Sequence, residues 1–317
     1  MGAEILSRLV NARSGKLLYY SPYYFLRELP AERQQELFGS GLAARWGTDA
    51  TGELLATGPA AAVHWLINHL PWDSDYLGRP VYRLFTGLFG GEVASRGLLQ
   101  AADDLRQHLA GRHRSFYAFS IVPAEDVQML QALTGAGWQL VETRLTYYQN
   151  QLSTLNCPRY PVRTATSAEA AHIGQIAAAA RNPYDRLHAD VLIDNAFADA
   201  YAARYAENTV TTPLATAVLV PDGPSLAIDS FLAISDLESD AAALQTRMSR
   251  VLLTAVGPAN RGWHVKLVAE TLHRARALNH KAVLMTTQAT NHAVFRTCEK
   301  LGFRLGATSH VLVCHGQ

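Results

Sequence analysis

The stretch AVLMTTQATNHAVFRTCEKLGFRLG, Ala282 to Gly306, decides how the rest of the chain is read. Ala282–Thr287 is a short continuous apolar run, the pattern of a strand buried on both faces. Thr290 or Asn291 then offers a side-chain oxygen to cap a helix. The helix stops at Gly302, and FRLGATSHVLVCH reads as a closing strand. The unit is strand, loop, helix, glycine stop, strand.

Working upstream, VLLTAV, Val251 to Val256, is another buried strand. PANRGWHVKL, Pro258 to Leu267, turns it into a helix whose Val265, Val268, Leu272 and Ala275 share one face. Asn279 is placed to end that helix. A strand-to-helix turn can cradle a phosphate, because the first amides of a helix are unpaired and carry the positive end of its dipole. Such cradles are normally glycine-rich, so the backbone can approach the ligand closely. Here Arg261 and Gly262 precede Trp263, His264, Val265 and Lys266. Three readings stay open: a cradle kept, one with a changed ligand, or one that no longer binds.

Further upstream, Ser167 and Glu169 open an alanine-rich helix to about Ala180, and Ala196–Tyr205 has helical spacing. PLATAVLV and SLAIDSFLAIS flank PDGP, Pro221 to Pro224, and suggest a hairpin. Polar residues from Asp236 to Arg250 suggest a loop. NQLSTLNCPRYPVR, Asn150 to Arg163, is the best domain boundary, which gives domains at 1–150 and 160–317. The end of the first half repeats the second: TGAGWQLVETRLTYY beside CEKLGFRLGATSHVLVC sets Gly137 against Gly302, 165 residues on. At that offset FSIVPAED, from Phe119, lies beside LMTTQATN, from Leu284. Duplication of one unit explains this, and so does the general likeness of any two strand–helix–strand units.

Composition narrows the function. The chain has 317 residues and a net charge of +1, with no basic run, which argues against a nucleic-acid partner. No segment approaches the roughly 18 apolar residues of a membrane span. The opening MGAEILSRLVNARSGKLLYY has no uninterrupted apolar core, so no signal peptide is expected. Cys157, Cys298 and Cys314 form no CxxC pair, which suits a reducing cytoplasm. The 12 histidines show no HExxH spacing, so no metal site is expected.

The stretch TTQATNHAVFRTCEKLGFRLG resembles the closing motif of the GCN5-related N-acetyltransferases: Asn291, Glu299, Lys300, Gly302 and Phe303 match in order and spacing. LPWDSDYLGRPVYRL, Leu70 to Leu84, and DRLHAD with DAYAARYAEN, Asp185 to Asn208, are similar to the enzymes of that family that acetylate nucleotide-linked amino sugars. The resemblance implies an α/β protein of the acyl-CoA N-acyltransferase fold, a mixed central sheet flanked by helices. It implies two such halves, the N-terminal one degenerate. It further implies acetyl transfer from acetyl-CoA to the amine of a small-molecule acceptor, with a nucleotide-linked amino sugar as first candidate. Pantetheine would lie along Thr254, Ala255 and Val256, an amide there facing the thioester oxygen. The diphosphate would meet the amides from Arg261 and Gly262 through Trp263, His264, Val265 and Lys266, and Asn291 would face the cofactor arm.

Two departures stand out. His264 and Lys266 occupy small-residue positions of the loop; they either fill the phosphate space or act as cations beside it. Cys298 replaces the tyrosine that protonates the departing thiolate, and is read either as that acid or as a core residue on an apolar helix side. On the acceptor side, Trp72 and Asp73 suit a sugar cleft or a structural anchor. His188 and Asp229 suit the acceptor or a plain surface; Asp236 and Glu238 are further carboxylates after the hairpin. LLYYSPYYFL, Leu17 to Leu26, is a partner surface or an edge strand. A homodimer is left open. The competing expectation is a non-catalytic protein of the same fold that binds a partner or another ligand.

Overall fold

The computed structural model describes residues 3–39, 41, 42, 46, 50–224 and 226–316. The chain forms two compact units. Unit 1 runs to Thr143 and takes in the chain from Ala307 onward; unit 2 is Arg144–Gly306. This differs from the boundaries expected at 1–150 and 160–317, because the break falls inside a strand and the last residues return to unit 1.

Unit 1 opens with helices α1 (Ala3–Tyr20) and α2 (Ala31–Phe38). Strands β1 (Gly52–Thr57) and β2 (Val63–His69), the short helix α3 (Pro71–Leu77) and strand β3 (Val81–Leu88) follow. Helix α4 (Ser95–Arg112) crosses to β4 (Phe116–Pro123), and α5 (Val127–Gly135) comes next. β1, β2 and β3 form an antiparallel meander, β3 and β4 are parallel, and β4 takes the last strand of the chain, β11 (Arg304–Gly316), as its antiparallel neighbour. Leu98, Ala101 and Leu105 of α4 and Met129 and Leu133 of α5 pack with Trp65, Leu84 and Ala118 into one core.

Unit 2 repeats the plan. It contains β5 (Gln139–Gln149), counted here by its residues from Arg144, then β6 (Val162–Thr164), helices α6 (Ala170–Ala179) and α7 (Asn195–Thr211), and strands β7 (Ala217–Pro221) and β8 (Ser230–Ser235). Helix α8 (Glu238–Leu244), β9 (Ser249–Val256), α9 (Trp263–Ala277), β10 (Val283–Gln288) and α10 (His292–Lys300) complete it. β6 to β9 are antiparallel, β9 and β10 parallel, and β10 pairs antiparallel with β5. Alternate residues enter two cores. Leu232 and Ile234 face α9 and α10, while Phe231 and Ala233 face α6 and α7.

Some local expectations change. Glu238–Leu244 is a helix where a loop was expected; ESDAAAL combines alanines with acidic residues in the first turn, which favour the helix dipole. β8 begins only at Ser230, so the hairpin loop after Pro221 is longer than PDGP. Leu17–Tyr20 ends a helix rather than forming an edge strand. Asn279, at φ +56°, closes α9, with the His280 N–H reaching the Ala275 carbonyl at 2.9 Å.

The 165-residue repeat is physical. Gly137 and Gly302 both adopt left-handed φ, +89° and +70°. The next N–H folds back five residues in each: Trp138 to Leu133 at 3.0 Å, Phe303 to Cys298 at 2.9 Å. The strands agree too. Parallel pairing ends at Leu84↔Ser120 in unit 1 and at Val251↔Met285 in unit 2, and Ser120 and Met285 are again 165 apart. A bulge follows at once in each, which leaves Phe85 of β3 and Leu252 of β9 unmatched.

Candidate functional site

Beyond Val251 and Met285 the parallel strands of unit 2 part. The gap is a cleft of about 820 Å³, open to solvent, walled by Leu252–Ala255 of β9 and Thr286–Gln288 of β10. Asn291 and Val294 of α10 close one end; Ala177, Arg181, Asp185, His188 and Ala202 form the far wall. β9 has paired edges on β8 throughout. The Gly257 N–H donates to the Asp229 carbonyl at 2.6 Å and fixes the phase of that ladder. Main-chain groups of an antiparallel strand alternate between facing the partner and facing away. Those of Thr254 and Val256 therefore face away from β8, toward the side where β10 has diverged.

The loop after β9 is latched to β8. Asp229 Oδ2 accepts from the Ala259 N–H at 2.7 Å, and Asn260 Oδ1 accepts from the Asp229 N–H at 3.1 Å and from Ser230 Oγ at 2.9 Å. A Cβ at Gly257 would stand 2.1 Å from Asp229 Oδ1, so only glycine fits. Gly262, at φ +90°, caps α9 and has no side chain to satisfy its first turn. The amides of Trp263, His264 and Val265 are thus available at a glycine-opened helix start beside exposed Arg261.

Several expected side chains do something else. Asp229 ties the loop and is not presented to an acceptor. His264 is no cation: burial pushes it down to about 4. Its Nδ1 meets Thr297 Oγ1 at 2.9 Å, and its Nε2 is shut off from solvent. The Lys266 ammonium lies over the Trp263 and Tyr160 rings, 4.6 and 5.5 Å from their centroids, and Trp263 itself is buried. Val265 packs partly against the same core. Neither side chain expected to crowd the loop is therefore held as a phosphate-facing cation.

Cys298 is 0 % exposed in the core beneath α9 and α10, and burial with Glu299 nearby pushes its thiol up to about 12. That corrects its reading as an acid. Its repeat partner, Leu133, is also 0 % exposed, so the position is a core position in both units. His188 lines the cleft, but both ring nitrogens are taken: Nδ1 by Asp185 at 2.7 Å and Nε2 by Asp199 at 3.0 Å. It braces the wall and has no nitrogen left for an acceptor. Arg181 joins the chain through an ion pair with Asp199, whose carboxyl it holds below the usual range together with His188. Trp72 and Asp73 belong to α3 of unit 1, where Trp72 stacks on Tyr76 at 6.0 Å; neither lines the cleft of unit 2. Asp236 is bound bidentately by Arg274, at 2.7 and 2.8 Å, and Glu238 opens α8.

The structure keeps Thr254, Ala255 and Asn291 together at the cleft. Asn291 caps α10 through the Val294 N–H at 3.3 Å. Arg181, Asn182 and Gln288 also line it, with Asn182 Nδ2 donating to Gln288 Oε1 at 2.6 Å. Nothing in their spacing marks them; they meet only because the α6–α7 loop folds over the end of β10. Among the described residues no helix is long and apolar enough to cross a membrane.

No family model and no curated protein matches the sequence. Solved structures do match. A GCN5-related N-acetyltransferase from Sphaerobacter thermophilus is 13 % identical, with a TM-score of 0.55 over 97 % of this chain and 92 % of that one. A glucosamine N-acetyltransferase region of a fungal multi-domain β-N-acetylglucosaminidase is 10 % identical, with a TM-score of 0.60 over 96 % of this chain and 37 % of the larger protein. A conserved protein of unknown function from Staphylococcus epidermidis is 12 % identical, with a TM-score of 0.52 over 84 % of this chain and 95 % of that one. With its parallel strands parting over a cleft in each unit's sheet plan, the chain has the fold of the GCN5-related N-acetyltransferases, present in two halves.

Proposed function

We propose that unit 2 transfers an acetyl group from acetyl-CoA to the amine of a small acceptor. The observation that carries this reading is the divergence of β9 from β10 after Val251, which turns main-chain groups of Thr254 and Val256 onto an open cleft. An extended pantetheine arm fits such an edge as an added strand. The uncapped first turn of α9, opened by Gly262, suits a diphosphate, and Asn291 stands at the same cleft for the cofactor arm. CoA supplies the acyl group as an activated thioester. The Thr254 N–H is the donor we assign to the developing oxyanion. With Cys298 buried, no side chain is assigned to protonate the leaving sulfur, and water does so.

The acceptor is kept at the level of a small primary amine. A nucleotide-linked sugar would bring its own diphosphate, and the cleft's lining cation, Arg181, is already committed to Asp199. A second reading, ligand binding without transfer, is favoured by one observation: the place of the acid in the resemblance holds an inaccessible thiol. Calorimetric titration with CoA and acetyl-CoA tests the cleft, and release of free CoA thiol with a panel of amines tests transfer. Binding with amine-dependent thiol release is expected. Binding without release on any amine supports the second reading, and no heat at millimolar ligand overturns both.

A further inference from the structure

Helix α1 lies against both strands that part in unit 1, β3 and β4. Its buried stripe is Leu9, Val10, Arg13 and Leu17, one helical face. Arg13 is 4 % exposed within that stripe, and its guanidinium donates twice to Asp126, at 3.3 and 2.5 Å. Tyr20 Oη donates to the same carboxylate at 2.9 Å, and Lys16 Nζ to the Glu125 carbonyl at 2.8 Å. The Tyr20 and Phe85 rings are 5.3 Å apart, and the Arg13 guanidinium lies 4.4 Å above Phe89.

Register shows what these positions are. Phe85 is the bulged residue of β3, as Leu252 is of β9. Asp126 precedes α5 as Asn291 precedes α10, 165 residues on. Leu252 and Asn291 line the open cleft of unit 2. α1 thus touches, in unit 1, the positions that in unit 2 border open space. We propose that unit 1 holds a second cleft of the same design and that α1 of the same chain is its resident ligand. The helix has little intrinsic reason to persist undocked: Gly15 sits in its middle with nothing near its missing side chain, and isolated helices of this length are marginal in water. The chain presents one ligand-accessible cleft, not two. This holds whichever ligand the other cleft takes.

Hydrogen exchange read by mass spectrometry on the full chain tests it, with Arg13→Ala and the milder Tyr20→Phe. An occupant can leave without unfolding its site. Exchange over residues 3–20 should rise about tenfold in Arg13→Ala and about threefold in Tyr20→Phe, while 81–88 and 116–123 stay as slow as in the wild type. Equal acceleration in those strands would make α1 an integral part of the core and overturn the proposal. If Arg13→Ala does not fold, Tyr20→Phe carries the same comparison. Titrating CoA adds a second arm: one equivalent per chain, with exchange over 3–20 unchanged, is expected. Two equivalents, or CoA-driven acceleration over 3–20, would also overturn it. Absence of any heat counts against the acyl-CoA reading of unit 2 alone, and the exchange comparison still decides this one.

Discussion

Where the parallel strands part, unit 1 has Asp126 clamped by Arg13 and Tyr20, and unit 2 has Asn291 beside open space. The backbone plan leading to that point is shared: the last strand pair, the bulge after it and the glycine-ended helix coincide. The difference lies in charge and in a segment more than a hundred residues away. A carboxylate at the helix start needs a cation once it is buried. Arg13 supplies it, and the helix carrying Arg13 fills the space. An asparagine keeps the cap without the charge, and the cleft stays empty of protein.

The sharpest way to break this comparison is Arg13→Ala, which strands Asp126 in unit 1. Removing one partner of a buried pair costs about 3–5 kcal/mol, so the urea midpoint should fall sharply. A fall under about 1 kcal/mol would mean that water reaches Asp126 and that unit 1 is looser than described. Next comes the matched core pair. Leu133→Ala should cost about 2–5 kcal/mol, whereas Cys298→Ala, at the corresponding position, should cost about 1 kcal/mol. Thiol release should stay within about twofold in Cys298→Ala, since a buried thiol at about 12 is a poor acid; a large drop in kcat in a folded sample would restore Cys298 as the acid. Asn291→Asp makes unit 2 resemble unit 1 electrostatically. It should weaken CoA about tenfold at low salt, about 1.4 kcal/mol, with less effect at high salt and little change in folding. Unchanged affinity would remove Asn291 from the cofactor arm.

The smallest effect concerns His264. Burial holds its folded value at about 4, below the ordinary value near 6.5. The unfolded chain therefore takes up the proton first. The stability due to neutral His264 is complete above about pH 6.5 and drains as pH falls toward about 4. His264→Gln should flatten that part of the stability–pH curve, measured by chemical denaturation at several pH values. An unchanged curve would mean that the ring is solvated.

Much of this was legible in the chain itself. The strand–helix–glycine–strand unit, its repetition at 165 residues and the face of α9 follow from local patterns, because periodicity and left-handed glycines are set by nearest neighbours. Thr254, Ala255 and Asn291 came through the motif and do meet at the cleft. The acceptor-side candidates fared differently. Asp229 and His188 carry the right chemistry in sequence, yet their polar atoms are spent on Ala259, Asp185 and Asp199. No sequence pattern records which of several nearby groups a carboxylate will bond.

The sequence by itself determined the secondary elements and the existence of two related units, since both depend on short-range spacing and backbone preference. Only the tertiary structure decided that β11 closes unit 1, that Cys298 is sealed in a core, and that one cleft is open while α1 fills the other. Those outcomes depend on packing and desolvation between residues far apart in the chain, such as Arg13 and Asp126, and burial is a property of the folded molecule that no local stretch encodes.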